Sequence, residues 1–176
     1  SLFLFVFFSL QSFFCQADHY MGGFFSYEYL VNDTFLIRLY TFTDTRGKDN
    51  DRDSVNINYG DNKYGFLKRI NSPGDNLNPF TKINIYEGKY KYDNFGIYQL
   101  TFADQFRLSN IRNMTRGMST ITHIYVTSIL RYENPNTNCL NNSPVATAYP
   151  NLIFKTGETA KLNFGLWDKD GDSLSY

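Results

Sequence analysis

The chain has little of what most site chemistries require. Histidine occurs twice, cysteine twice and tryptophan once, and neither charge is in excess, with 17 basic side chains against 17 acidic ones over 176 residues. A nucleic-acid binder neutralises phosphates with a basic face. This composition supplies none, so no nucleic-acid partner is expected. Metal hydrolysis needs clustered His and carboxylates, whereas His19 and His123 lie on different elements without His-Glu-x-x-His spacing. His123, inside Thr122-His123-Ile124-Tyr125, reads as a hydrogen-bonded sheet residue. One near miss for a phosphate loop, Gly60-Asp61-Asn62-Lys63-Tyr64-Gly65, fails because Phe66 and Leu67 stand where Lys and Ser or Thr belong. No Gly-x-Ser-x-Gly elbow occurs, and Glu28, Glu87, Glu133 and Glu158 are scattered without marking a glycosidase pair. The expectation is a non-catalytic protein.

What the chain does have is apolar and aromatic surface, 42% hydrophobic and 18% aromatic residues, enough to fill a core without disulfides. Residues 1–14 are an apolar run broken only by Ser and Gln. The run is shorter than the ~20 residues of a membrane-spanning helix and precedes the small-x-small triplet Cys15-Gln16-Ala17, so residues 1–17 read as a secretory leader cleaved after Ala17. The alternatives are a buried strand or a membrane anchor. A first residue of Ser and the missing positive n-region suggest a leader truncated at its start. An exported protein with no membrane span in its mature part is expected. Cys139 is then the one remaining cysteine, either buried and inert or paired outside this stretch of chain.

From Phe24 onward, short runs of alternating apolar and polar residues are separated by Asn, Asp, Gly and Pro. The pattern predicts strands over 24–29, 34–43, 54–59, 64–70, 81–90, 96–102 and 121–130, with turns at 44–53, 71–78 and 93–94. About seven strands at this spacing suit an all-β fold, an immunoglobulin-like antiparallel β-sandwich over 18–133. Residues 134–144, Asn-rich with Pro135 and Pro144, read as a linker. Residues 145–176 read as the start of a second β-domain, incomplete, with strands near 148–154, 160–164 and 174–176. Within the first domain, Tyr98 follows a turn in a Gly-x-Tyr-x-Leu-x-Phe strand, the position of a tyrosine corner, and is assigned a structural role.

Two acidic clusters are candidate metal sites. Asp49-Asn50-Asp51-Arg52-Asp53 has the one-three-five spacing of an EF-hand loop, but Ser54 replaces the turn glycine and Gly60 the bidentate Glu, so it reads as a solvated hairpin loop. Asp168, Asp170 and Asp172 surround the turn at Gly171. Hard oxygen ligands on a tight loop suit Ca²⁺, while an ordinary Asp-Gly hairpin turn accounts for the same residues. Three carboxylates do not fill six to eight coordination positions, so a calcium site there needs ligands from a neighbouring domain. The 17 Phe and 14 Tyr serve core filling first, and any surplus could form a stacking platform for a glycan or a protein partner.

These pieces resemble a family. His19-Tyr20-Met21-Gly22-Gly23 and Ser26-Tyr27-Glu28-Tyr29, then Phe35 to Thr43, Phe95 to Asp104, Cys139 to Pro144 and Asp168 to Tyr176, look like the N-terminal module of large surface proteins of gliding bacteria. The resemblance spans most of the chain. It implies export by the type IX system, tandem PKD-like or cadherin-like sandwiches, and adhesion or display at the cell surface, with adjacent β-domains of the same chain as neighbours and a surface glycan or protein as ligand. Its last element is similar to the Asp-x-Asp-Gly-Asp-Ser-Leu-Ser-Tyr segment of cadherin-like repeats, implying Ca²⁺ at Asp168, Asp170 and Asp172. Family members often carry a Cys in the second-strand loop and another in the next domain's first strand. Here Thr43-Asp44-Thr45 and Ile153-Phe154-Lys155 carry none, which puts the usual disulfides and any role for Cys139 in doubt. The rival reading is a carbohydrate-binding or accessory module of a larger secreted hydrolase; a purely structural spacer is a second rival.

Overall fold

A computed structural model describes residues 20–46, 52–109, 111–115, 118–134, 141–149, 154–159 and 165–175. The leader, Asp49 to Asp51 and Cys139 lie outside the described residues.

Among the described residues eight strands build the sandwich: β1 (Tyr20–Tyr29), β2 (Thr34–Asp44), β3 (Ser54–Asn58), β4 (Tyr64–Arg69), β5 (Asp75–Asn78), β6 (Thr81–Lys91), β7 (Gly96–Asp104) and β8 (Ile124–Tyr132). All pairings among them are antiparallel. One layer runs β1-β2-β6-β5 and the other β4-β3-β7-β8, the strand order of an immunoglobulin-like sandwich with one added edge strand. The layers are joined at a corner where β4 also pairs with β6, Lys68 opposite Glu87 and Arg69 opposite Tyr86. At the other side β1 and β8 meet without a ladder. The Tyr27 hydroxyl donates to the Ile129 carbonyl at 3.2 Å, and a Cβ on Gly23 would stand 3.3 Å from Val126 Cγ2.

Period-two alternation decides which side chains enter the core. Phe25 and Tyr27 of β1, Phe35, Ile37 and Leu39 of β2, Val55 and Ile57 of β3, Leu67 of β4, Tyr86 of β6, Leu100 and Phe102 of β7, and Val126 and Leu130 of β8 are buried together between the layers. Tyrosines close one end of this core. Tyr59 stacks on Tyr90 at 3.7 Å, Tyr92 on Tyr98 at 4.0 Å, and Tyr90 meets Tyr92 edge-on at 4.8 Å. Their hydroxyls find acceptors: Tyr90 donates to Asp61 at 2.6 Å, Tyr92 to the Tyr59 carbonyl at 2.8 Å, and Tyr98 to the Asn94 carbonyl at 2.6 Å. The last bond ties the start of β7 back to the turn after β6, which makes Tyr98 the tyrosine corner its sequence position predicts.

Six of the predicted strands match observed ones to within a few residues. The strand expected over 121–130 begins instead at Ile124, after a short 3₁₀ turn at Met118–Thr120. The turn expected over 71–78 contains β5, a four-residue edge strand laid on β6. The Gly60 to Gly65 segment is the β3–β4 hairpin: the Tyr59 amide donates to the Lys63 carbonyl at 3.0 Å, and Gly60 and Asn62 take positive φ, 89° and 65°. Gly60 is required there twice over, since a Cβ would also fall 2.5 Å from the Gln99 amide nitrogen.

Downstream, β9 (Val145–Ala146) pairs with β10 (Leu166–Trp167). Ala148, Tyr149, Phe154, Leu174 and Ser175 are not in strands, while 150–153, 160–164 and Tyr176 lie outside the described residues. The segment expected to be a linker is docked where it is described. Ser143 exchanges backbone and side-chain bonds with Tyr27, its amide donating to the Tyr27 carbonyl at 3.0 Å and its Oγ accepting from the Tyr27 amide at 2.8 Å. Asn142 Oδ1 accepts from the Tyr29 amide at 2.8 Å. Residues 142–143 therefore cover part of the free edge of β1.

Candidate binding face

The two outer faces of the sandwich differ. On the β1-β2-β6 face, Phe24 stacks on Tyr40 at 4.5 Å, and Phe42 and Ile83, opposite one another in register, are both buried although they point away from the main core. Tyr149 lies over this patch, 6.3 Å from both Tyr40 and Phe42. Arg38 and Glu87, also cross-strand partners, form an ion pair at 2.7 Å on the same face. The downstream segment thus occupies this side.

The outer face of β4-β3-β7-β8 is open and carries large apolar side chains, with Tyr64 68% exposed, Phe66 66%, Ile97 67%, Tyr125 63% and Ile129 50%. Alternation puts them there. In β4, Leu67 turns inward while Tyr64 and Phe66 turn out; in β8, Val126 and Leu130 turn inward while Tyr125 and Ile129 turn out. Register then arranges the face in rows. Tyr64 stands opposite Asn58, Asn58 opposite Thr101 and Thr101 opposite Thr127; Phe66 stands opposite Asn56, and Ala103 opposite Tyr125. Small polar residues form the floor, and tyrosines stand on the outer strands.

The ladder between β3 and β7 is one pair long, Asn58 with Thr101. Alongside it opens a cavity of ≈ 360 Å³ lined by Asn56, Ile57, Asn58, Tyr64, Thr101, Ala103 and Tyr125. At a strand spacing of about 4.8 Å, the three steps from β4 to β8 put Tyr64 and Tyr125 about 14 Å apart across the sheet. Among the described residues the lining is without a charged side chain. Lys68 and Arg131, charged and on the same face, lie at its opposite ends, Lys68 paired with Ser54 and Arg131 with Ile97.

A smaller cavity, ≈ 170 Å³, lies at the tyrosine-rich end between Asp33, Asp93, Asn94, Phe95 and Tyr132. Both carboxylates have partners. Tyr132 donates its hydroxyl to Asp33, and Lys63 holds Asp93 at 2.8 Å, which keeps the Asp93 carboxyl below and the Lys63 ammonium above their ordinary pKa ranges. Burial, then the Asp33 bond, pushes the Tyr132 phenol well up. Such groups brace the end of the sandwich.

Of the three carboxylates singled out by sequence, Asp168 and Asp170 take different roles, and Asp172 joins the turn through its backbone amide. Asp168, buried, accepts backbone N–H bonds from Asp170 at 2.9 Å and Asp172 at 3.2 Å, closing the turn. Asp170 accepts from Asn142, through its amide at 2.6 Å and its Nδ2 at 2.8 Å, and Lys169 pairs with Glu28. The loop is thus clasped to the covered edge of β1. Among the described residues no group of three or more His, Cys, Asp or Glu is arranged to hold a metal ion. In the other acidic cluster, Asp53 pairs with Arg69 at 3.0 Å and Arg52 with Asp104 at 2.7 Å. His123 sits just before β8, its ring 6.1 Å from that of Tyr125. No described helix is long and apolar enough to cross a membrane.

Composition gives the number of aromatics and not their place. The signal for the open face is an apolar residue at both parities of a strand, as in Tyr64-Gly65-Phe66-Leu67 and Ile124-Tyr125-Val126, because a half-exposed strand would place polar groups at one parity. Comparison with protein-family models, characterised proteins and solved structures finds no match to this chain.

Proposed function

We propose that this chain is part of a non-catalytic, exported cell-surface protein, a scaffold of tandem β-sandwich domains that works in adhesion or display. The observation that carries the reading is the asymmetry of the sandwich: Tyr149 of the downstream segment packs on one outer face, while the other presents Tyr64, Phe66, Ile97, Tyr125 and Ile129 to solvent. Large apolar side chains left exposed together on one face of a folded domain are a mark of an interaction surface. The apolar leader and the resemblance to surface proteins of gliding bacteria support export. A Ca²⁺ ion at Asp168, Asp170 and Asp172 belongs to this reading only with further oxygen ligands from beyond the described residues, since Asp168 and Asp170 already bind the turn and Asn142. Equal melting temperatures in Ca²⁺ and in chelator would remove calcium from the account.

The test of adhesion is retention under flow. Beads coated with the chain are expected to stay on glass coated with polysaccharide or with protein and to wash off bare passivated glass. Loss from every coated surface at the lowest flow would overturn the proposal.

A further inference from the structure

We infer that the cleft between β3 and β7 binds a neutral glycan chain, laid across the strands from Tyr64 to Tyr125. This rests on the adhesion reading and names its ligand. Three properties of the cleft select that chemistry. Its lining offers the Asn56 amide, the Asn58 Nδ2 donor, whose Oδ1 already accepts from the Gly60 amide at 2.7 Å, and the Thr101 hydroxyl, which together donate and accept hydrogen bonds, as sugar hydroxyls do. The rings of Tyr64 and Tyr125, mostly exposed at its two sides, can stack against the apolar C–H faces of sugar rings while their hydroxyls stay in water. Among the described residues no charged side chain lines it, so none of them compensates a phosphate, sulfate or uronate.

The size agrees. A cavity of ≈ 360 Å³ falls within the usual span of ligand sites, and its open position between two separated rings fits a chain better than an enclosed small molecule. The alternative occupant is a second copy of the same face. Self-association there would take the Asn56 amide, now exposed, out of water, which costs free energy unless that amide is hydrogen-bonded.

Affinity electrophoresis of the chain through gels containing soluble neutral polysaccharides (β-glucan, xylan, mannan) or charged ones (pectate, heparin) is the test. The inference expects retardation by at least one neutral polymer. Tyr64→Ala and Tyr125→Ala should each weaken it by roughly tenfold or more, and Asn56→Ala by less, through loss of a stacked ring or a hydrogen bond. All three side chains are exposed, so the variants should melt with the wild type, which separates lost binding from lost folding. Retardation by charged polymers alone, by none, or undiminished in both tyrosine variants would overturn it. So would light scattering that shows a dimer which Tyr64→Ala dissociates. Beads that hold to protein-coated glass while no polysaccharide retards the chain would leave adhesion standing and remove the glycan.

Discussion

The Tyr98 hydroxyl is four residues from the carbonyl it binds, and its ring lies against Tyr92, so removing the hydroxyl tests the corner without disturbing the stack. Tyr98→Phe is expected to lower stability by about 1 kcal/mol in urea unfolding, the worth of one hydrogen bond. An unchanged midpoint would mean that the corner holds nothing. The same end of the molecule sets a response to alkali. Burial, then neighbouring Asp61, raises the Tyr92 phenol, and burial with the hydrogen bond to Asp61 raises Tyr90; burial also raises Tyr59 and Tyr98. These folded-state pKa values stand above the ordinary 10.0. Their neutral forms therefore stabilise the fold below about pH 10, and that contribution is lost as pH rises further. Phenolate absorbance from this cluster should appear in one cooperative step coincident with loss of circular dichroism. A gradual rise centred near pH 10, with the fold intact, would contradict the burial.

At the scale of elements, alternation made most strands legible. Phe35, Ile37 and Leu39 enter the core while Leu36, Arg38 and Tyr40 stay out, as period-two spacing requires. The strand β5 was not legible because Asp75-Asn76-Leu77-Asn78 is turn composition; it is ordered by its ladder to β6, a tertiary effect that local propensity does not carry. The docking of 142–143 was hidden for a related reason. Asn and Ser read as loop formers, yet here their side-chain oxygens satisfy the Tyr29 and Tyr27 amides on the edge of β1. Ser143→Ala should cost about 1 kcal/mol and speed amide exchange at Tyr27. Exchange no faster than in the wild type would show that the edge is protected by something else. The acidic loop was half legible: its turn was read from Asp168 and Gly171, while the grip of Asp170 on Asn142 joins positions 28 residues apart.

For the whole molecule, the immunoglobulin-like order follows from which strands meet. Seven runs of suitable spacing announced a sandwich, but the identity of its free face depended on Tyr149 reaching Tyr40 and Phe42 from the downstream segment. The core and the face should respond oppositely to truncation. Leu100→Ala, at a fully buried position shared by both layers, is expected to cost 2–5 kcal/mol by the usual range for such cavities, whereas Tyr64→Ala should stay within about 0.5 kcal/mol of the wild type. Comparable losses for the two would mean that the β4-β3-β7-β8 face is not open.

The most direct test of the account compares faces under flow. Beads bearing the wild-type chain, a Tyr64→Ala/Tyr125→Ala variant, and a Tyr149→Ala variant would be followed on one adhesive surface at increasing shear. The account predicts that the wild type and Tyr149→Ala hold alike while the double variant washes off at the lowest flow. Retention of the double variant, or loss confined to Tyr149→Ala, would place adhesion elsewhere and contradict it.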